Sequence, residues 1–572
     1  MNYSADIKKL PRHFLPVDFT VTDWPALEPY FKNLLDRHID SKEMLEQWLK
    51  DASELEAAIS EDACWRQIKM TCDTENKELE DVFTFFMMEI QPKIQPYSDK
   101  LNKKLISSPF TKLLDQQKYF TYLRTVKKNI DLFRKENISL QAELNVMQQQ
   151  YGAIAGKMSV EVDGKEYTLQ QAAKFLENPD HKLREEVYRK ISDRRLQDKL
   201  ALNELFSNLL IKRHQVALNA GFANYRDYKF AEMGRFDYTK EDCFQFHEAV
   251  KQYVMPLVND IYERKKKKLG VDTLRVWDLE AHPANEKPLN PFKTADELVE
   301  KTITCFNELR PFFGNCLQRM KTMGHLDLDS RKGKAPGGYN CPLAESGAPF
   351  IFMNAAGQMD DVTTIVHEGG HAVHSFLAHK LELLGFKEYP MEFAEVASMA
   401  MELFSMEHWH VFFRSDEEMK QAKEHQLERV ITIFPWIAMI DKFQHWIYEN
   451  PNHSEAERTE KWVEIFNEFT SPVLDVSGLE EYRRWFWQKQ LHLFEVPFYY
   501  IEYGIAQLGA IGMWKQYRAD KEKALDNYIS ALALGGTKTL PQLFSIAGLE
   551  FNFSPATVSS LMTFVDKEVK KL

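Results

Sequence analysis

Five consecutive residues bound the chemistry open to this chain: His367, Glu368, Gly369, Gly370 and His371 spell the pattern H-E-x-x-H. On a helix, positions four apart share one face, so the two imidazoles can grip one metal ion while the Glu368 carboxylate stands beside it. That is the inner half of a zinc hydrolase site, in which the carboxylate serves as general base toward a water.

The motif works only on a helix, and its flanks predict one. Asp360 and Asp361 stand just before the run, where they can cap the amides of the first turn. Val362, Ile365, Val366, Ala372, Val373, Phe376 and Leu377 then recur at a spacing that buries one helical face. Gly369 and Gly370 are poor helix formers, each costing up to about 1 kcal/mol relative to Ala, so another backbone is expected to pack closely there.

Two histidines alone bind zinc weakly, and catalytic sites usually have three protein ligands with a fourth position for water. A metzincin arrangement would need a glycine at position 374 and a histidine at 377; the chain has His374 and Leu377. The remaining source is a glutamate from a second helix. Pro390 opens such a run, from Met391 to Glu402, with strong helix propensity and small apolar residues around its acids. A carboxylate in those surroundings requires a partner, because desolvating an uncompensated charge costs several kcal/mol. Glu392, Glu395 and Glu402 are the candidates; the first two lie three apart on one face, and Glu395 has the smaller neighbours. Glu402 falls on that same face and could hold a histidine ligand from behind.

His367 to His371 together with Phe393-Ala394-Glu395-Val396-Ala397-Ser398 resembles the thimet oligopeptidase and oligoendopeptidase F family of zinc peptidases, its oligoendopeptidase F (Pz-peptidase-like) branch in particular. The resemblance implies that Glu395 is the third ligand of one zinc ion per chain. It extends to His492, Tyr499, Tyr500 and Tyr503, where family members carry a histidine followed by closely spaced tyrosines that steady an oxyanion. A phenol donates a strong hydrogen bond without charge at neutral pH, and such donors are worth about 2.7 to 4 kcal/mol in the transition state. Tyr500 and Tyr503 are three apart on one helical face. The resemblance thus implies Tyr503 for the oxyanion, Tyr500 for a substrate contact and His492 as supporting donor; if the segment is a helix, Tyr499 points elsewhere. Similarity is dense over residues 330–555 and faint before 180.

The implied fold is mainly α: a two-lobed helical metallopeptidase with a deep substrate channel and a small sheet beside the active-site helix. Residues 1–180 are expected to form an N-terminal helical lobe and 181–572 the catalytic domain. A hairpin is expected over 159–168, where Asp163-Gly164 lies between alternating residues. Ala348 to Asn354 reads as a strand after the turn-rich run 333–340. With one edge open, that strand could accept an extended peptide through main-chain hydrogen bonds.

Composition closes off other classes. At 572 residues, 44% apolar and 13% aromatic, the chain can bury a large core. The net charge of −12, with the single basic block Arg264 to Lys268 reading as a solvated helix end, argues against a nucleic-acid partner. The apolar run Ile433 to Ile440 is far short of the roughly 20 residues that span a bilayer. Six dispersed cysteines and no apolar segment after Met1-Asn2-Tyr3-Ser4 point to a cytoplasmic protein with reduced thiols. No serine-hydrolase elbow, phosphate loop or dinucleotide turn is present.

The leading expectation is therefore an oligoendopeptidase cutting short peptides internally. A carboxypeptidase or peptidyl-dipeptidase on the same site is the near alternative, with Arg483, Arg484 or Lys489 clamping a terminal carboxylate. A non-catalytic helical peptide-binding scaffold is the distant one; a general base at Glu368 argues against it. Histidine and carboxylate ligands also admit cobalt or manganese, and the oligomeric state is left open.

Overall fold

Long runs of good helix formers, bounded by Ser, Thr, Asp and Asn caps, give a mostly helical protein with small sheets. The computed structural model describes residues 4–283, 286, 289–331, 333–335 and 337–572; Met1, Asn2, Tyr3 and Pro336 lie outside them. Among the described residues no helix is long and apolar enough to cross a membrane, and all six cysteines are free. The chain groups into two compact units, each assembled from separated stretches: residues 1–138, 289–422 and 506–551, and residues 139–288, 423–505 and 552–572.

The first unit opens with helices around Leu27, Phe31, Leu45, Trp48 and Leu55, a core that Leu383 and Phe386 complete from later in the chain. Its three-stranded sheet has Phe350–Ala355 in the centre, parallel to Leu326–Asp329 on one side and antiparallel to Tyr339–Cys341 on the other. The expected open edge on the Ala348–Asn354 strand is therefore wrong. Leu326–Asp329 lines one edge and Tyr339–Cys341 pairs with Phe350, Ile351 and Phe352 on the other, two strands too short to show a periodic pattern. The burial of five of its six residues fits a central strand.

Two helices follow this strand and pack tightly on each other: Met359–Ala378, carrying the H-E-x-x-H motif, and Met391–Ser405. A Cβ on Gly370 would stand 2.6 Å from Ser398 Cα and 2.7 Å from the Ala397 carbonyl oxygen, so glycine is what lets the backbones approach. Gly369 instead faces the Phe306 ring.

The second unit contains the hairpin Ser159–Val162 and Lys165–Thr168, paired in the expected register. Asp163 and Gly164 both take positive φ, 51° and 74°, as a two-residue I′ turn requires. The basic block ends the helix Met255–Leu269, where cations complement the helix dipole, and Arg264 and Lys268 pair with Glu428 and Glu424.

Candidate functional site

The motif helix begins one turn earlier than the acids suggested. Gln358 is its cap, and Asp361 accepts the backbone N–H groups of Ala356 and Gln358 at 2.8 Å each, closing a capping box; Asp360 and Asp361 thus sit inside the first turn. Two turns on, the rings of His367 and His371 stand 4.9 Å apart and nearly perpendicular. The neighbouring helix starts after Pro390 and brings Glu395 up to both: its Oε2 is 3.3 Å from His367 Nε2 and 3.6 Å from His371 Nε2.

One ligand atom from each of His367, His371 and Glu395 can be chosen so that all lie within 4.8 Å of one another. Tetrahedral bonds of about 2.0 to 2.1 Å would set such atoms about 3.3 Å apart, so the donor set fits a zinc ion in both chemistry and spacing. Glu402, two turns beyond Glu395, receives His367 Nδ1 at 2.7 Å, which leaves Nε2 directed at Glu395. Ser398 donates to Glu395 Oε2 at 3.1 Å. Glu392 is buried on the same helix but is not one of the three.

Electrostatics separate the roles of these groups. Burial lowers His371 to about 4, so it is the neutral imidazole a metal requires. For His367 burial opposes the charge, yet hydrogen bonds to Glu395 and Glu402 outweigh it and hold the imidazole well above its ordinary value. Burial also raises Glu368 to about 7, with His367 opposing and Glu395 adding to the shift. Its Oε2 is buried without a hydrogen bond, while Asn340 Nδ2 holds the Glu368 main-chain carbonyl at 3.2 Å.

The tyrosine segment belongs to the second unit. His492 Nε2 lies 3.4 Å from the Tyr503 hydroxyl, and the His492 ring is 5.0 Å from Tyr500 and 5.8 Å from Tyr503. Tyr499 does not point elsewhere: its ring is 5.3 Å from Tyr503 and 6.0 Å from His492. The helix begins at Tyr500, and Tyr499, four positions before Tyr503, shares its face. That spacing was the available signal. A residue the sequence reading did not single out, Gln490, contacts His492 Nδ1 at 2.6 Å and accepts from Trp436 Nε1 at 2.8 Å, fixing the ring; nothing in the local pattern marks it. Burial pushes the Tyr500 phenol up to about 12.

Of the three cations considered for a terminal carboxylate, Lys489 lies over the Trp436 and Phe486 rings at 4.5 and 4.1 Å, and burial lowers it to about 8. Arg483 donates to the Asn467 side chain and stacks on Phe466.

Comparison with known proteins agrees along the chain. Residues 174–563 match the family described as "Peptidase family M3", and residues 14–133 match "Peptidase M3 N-terminal domain". An oligoendopeptidase F homolog of Borreliella burgdorferi is 25% identical over 420 residues, covering 71% of this chain and 68% of the relative. The oligopeptidase PepF of Bacillus subtilis is 23% identical over 330 residues, 56% of this chain and 47% of its own. The solved structure of Pz peptidase A with an inhibitor superposes with a TM-score of 0.92 at 26% identity, over 98% of this chain and 99% of that one.

Proposed function

Since the chain belongs to peptidase family M3, in its oligoendopeptidase F branch, we propose that it is a zinc-dependent oligoendopeptidase cutting internal bonds of short peptides. That it is a peptidase follows from the family; the metal, the roles of the residues and the position of the cut are the proposal. The observation that carries it is the convergence of His367, His371 and Glu395 beside a buried carboxylate, Glu368, with an unbonded oxygen.

In this reading His367, His371 and Glu395 hold the zinc, which when bound acts as a Lewis acid and makes a water acidic near neutral pH. Glu402 keeps His367 in the tautomer whose Nε2 is free to ligate. Glu368 takes the proton of the attacking water and passes it to the leaving amine. Tyr503 donates a hydrogen bond to the oxyanion, with His492 supporting the phenol, and Tyr500 contacts substrate. The buried Glu368 fits this duty, because a carboxyl raised toward neutrality both accepts and returns a proton readily.

Aromatic and amide partners engage Lys489 and Arg483, which leaves Arg484 as the cation for the exopeptidase alternative. The division into an N-terminal lobe, 1–180, and a catalytic stretch, 181–572, is part of the same reading, with the N-terminal family match, 14–133, falling within the first. A cytoplasmic location is part of the same reading, supported by the free cysteines.

The test is a peptide blocked at both termini, with products mapped by mass. Cleavage between internal residues is expected; cleavage only after the C-terminal block is removed would replace the endopeptidase reading by the exopeptidase one.

A further inference from the structure

The second unit contains another buried cluster built on the same geometric plan. Cys243 and His247 lie four apart on the helix Lys240–Ala249, and Asp441 and His445 lie four apart on the helix Asp416–Glu449. Ligand atoms of Cys243, Asp441 and His445 all fall within 4.8 Å of one another. We propose that Cys243, Asp441 and His445 form a second, structural metal site for a zinc-like divalent cation.

Three observations support it. First, the spacing is that of ligands sharing an ion: His445 Nε2 is 3.2 Å from Asp441 Oδ2. The corresponding imidazole-to-carboxylate distances in the His367/His371/Glu395 cluster are 3.3 and 3.6 Å. Second, the side chains of Asp441 and His445 are 0% and 2% exposed, yet Asp441 Oδ1 and His445 Nδ1 make no hydrogen bond. Unbonded polar atoms at that depth are costly, and a coordinated cation is the partner that satisfies a carboxylate and an imidazole together. Third, the same carboxylate is positioned by a second imidazole: His247 Nε2, on the helix that carries Cys243, lies 2.8 Å from Asp441 Oδ2, much as Glu402 braces His367.

The donor set names the ligand class. One thiolate, one imidazole and one carboxylate suit zinc or cobalt and are poor for magnesium or calcium, which take oxygen shells. The side chains of the cluster are almost wholly enclosed, and the neighbouring acid, Asp242, is engaged at the helix cap with Thr239, so the role is to tie two helices together. What it steadies is visible next to it. Gln444 Oε1 accepts the Phe498 backbone N–H at 2.6 Å, and the His445 ring packs edge-on against Phe498 at 5.4 Å. Phe498 is held at φ 66°, an uncommon conformation for a bulky residue, just before Tyr499 and Tyr500.

Cobalt substitution separates the two sites, because only the proposed one contains sulfur. The untagged full-length chain is stripped, loaded with Co2+, and its near-ultraviolet thiolate-to-cobalt absorption and metal per chain are measured. Two cobalt ions per chain and a thiolate band are expected for the wild type. Cys243→Ser should lose the band and one ion; His371→Ala should lose one ion and keep the band. Should Cys243→Ser fail to fold, His445→Gln replaces it, and loss of the band there supports the site equally. A wild-type protein with one ion and no thiolate band, or a band unchanged by Cys243→Ser or His445→Gln, would overturn the proposal.

Discussion

Two buried clusters in this protein each join an i, i+4 pair on one helix to a ligand on another, but they differ in access and in company. In the His367 cluster the histidine side chains keep 20% and 15% of their surface, and Glu368 lies alongside with an unbonded oxygen. In the Cys243 cluster Asp441 and His445 keep 0% and 2%, and the acid next to Cys243, Asp242, is engaged in capping its helix by accepting from Thr239. Ligand geometry alone would not tell a reactive centre from a structural one. A partly open face and a spare, destabilised base make the difference.

The largest expected effect removes that spare base. Glu368→Gln should retain zinc but lower turnover by about 10² to 10⁴-fold, the usual weight of a general base; paired metal analysis and peptide assays check both halves. If turnover fell only because the metal was lost, Glu368 would belong with the ligands.

Next in size is Tyr503→Phe, which deletes one hydroxyl and should cost about 10² to 10³-fold in kcat, the range for one oxyanion donor, with KM little changed. Tyr499→Phe serves as the comparison within the same ring cluster. If it proved the more damaging of the two, the oxyanion role would pass to Tyr499.

Glu402→Gln tests the brace behind the metal. Removing the charge that His367 Nδ1 meets at 2.7 Å should weaken zinc affinity by about 10 to 100-fold, read by competition with a chelator. An unchanged affinity would make Glu402 an ordinary buried acid.

The smallest effect is a pH dependence. Burial raises Glu368 to about 7 in the metal-free protein, and a cation alongside lowers it from there. The base works ionised, so kcat/KM should rise with pH and be lost below the folded-state pKa. That acid limb should fall above the ordinary glutamate value of about 4.3. A limb at or below that value would mean that Glu368 is not the titrating base.

Much of the reactive cluster is legible in the sequence because its grammar is local. The i, i+4 histidines, the apolar stripe and the paired glycines all lie within one helix, and Gly370 does admit a neighbouring backbone. The carboxylate from the second helix is less so: Glu392 and Glu395 share a face, the smaller neighbours of Glu395 only favour it, and family resemblance makes the choice. What escaped reading depends on distant partners. The Phe350–Ala355 strand reads as an edge because the strands that flank it, of four and three residues, show no period. Cys243 and Asp441 are nearly two hundred positions apart, so each half of that cluster looks like an ordinary helix face until folding joins them.

The most direct test of the account is hydrolysis of an internally quenched, doubly blocked peptide by four samples: native protein, chelator-treated protein without and with restored zinc, and zinc-loaded Glu368→Gln. The account predicts internal cleavage that disappears with chelator, returns with zinc and is slowed at least about 10²-fold in the zinc-bound variant. Cleavage that ignores the chelator, or that runs near the native rate in Glu368→Gln, would contradict it.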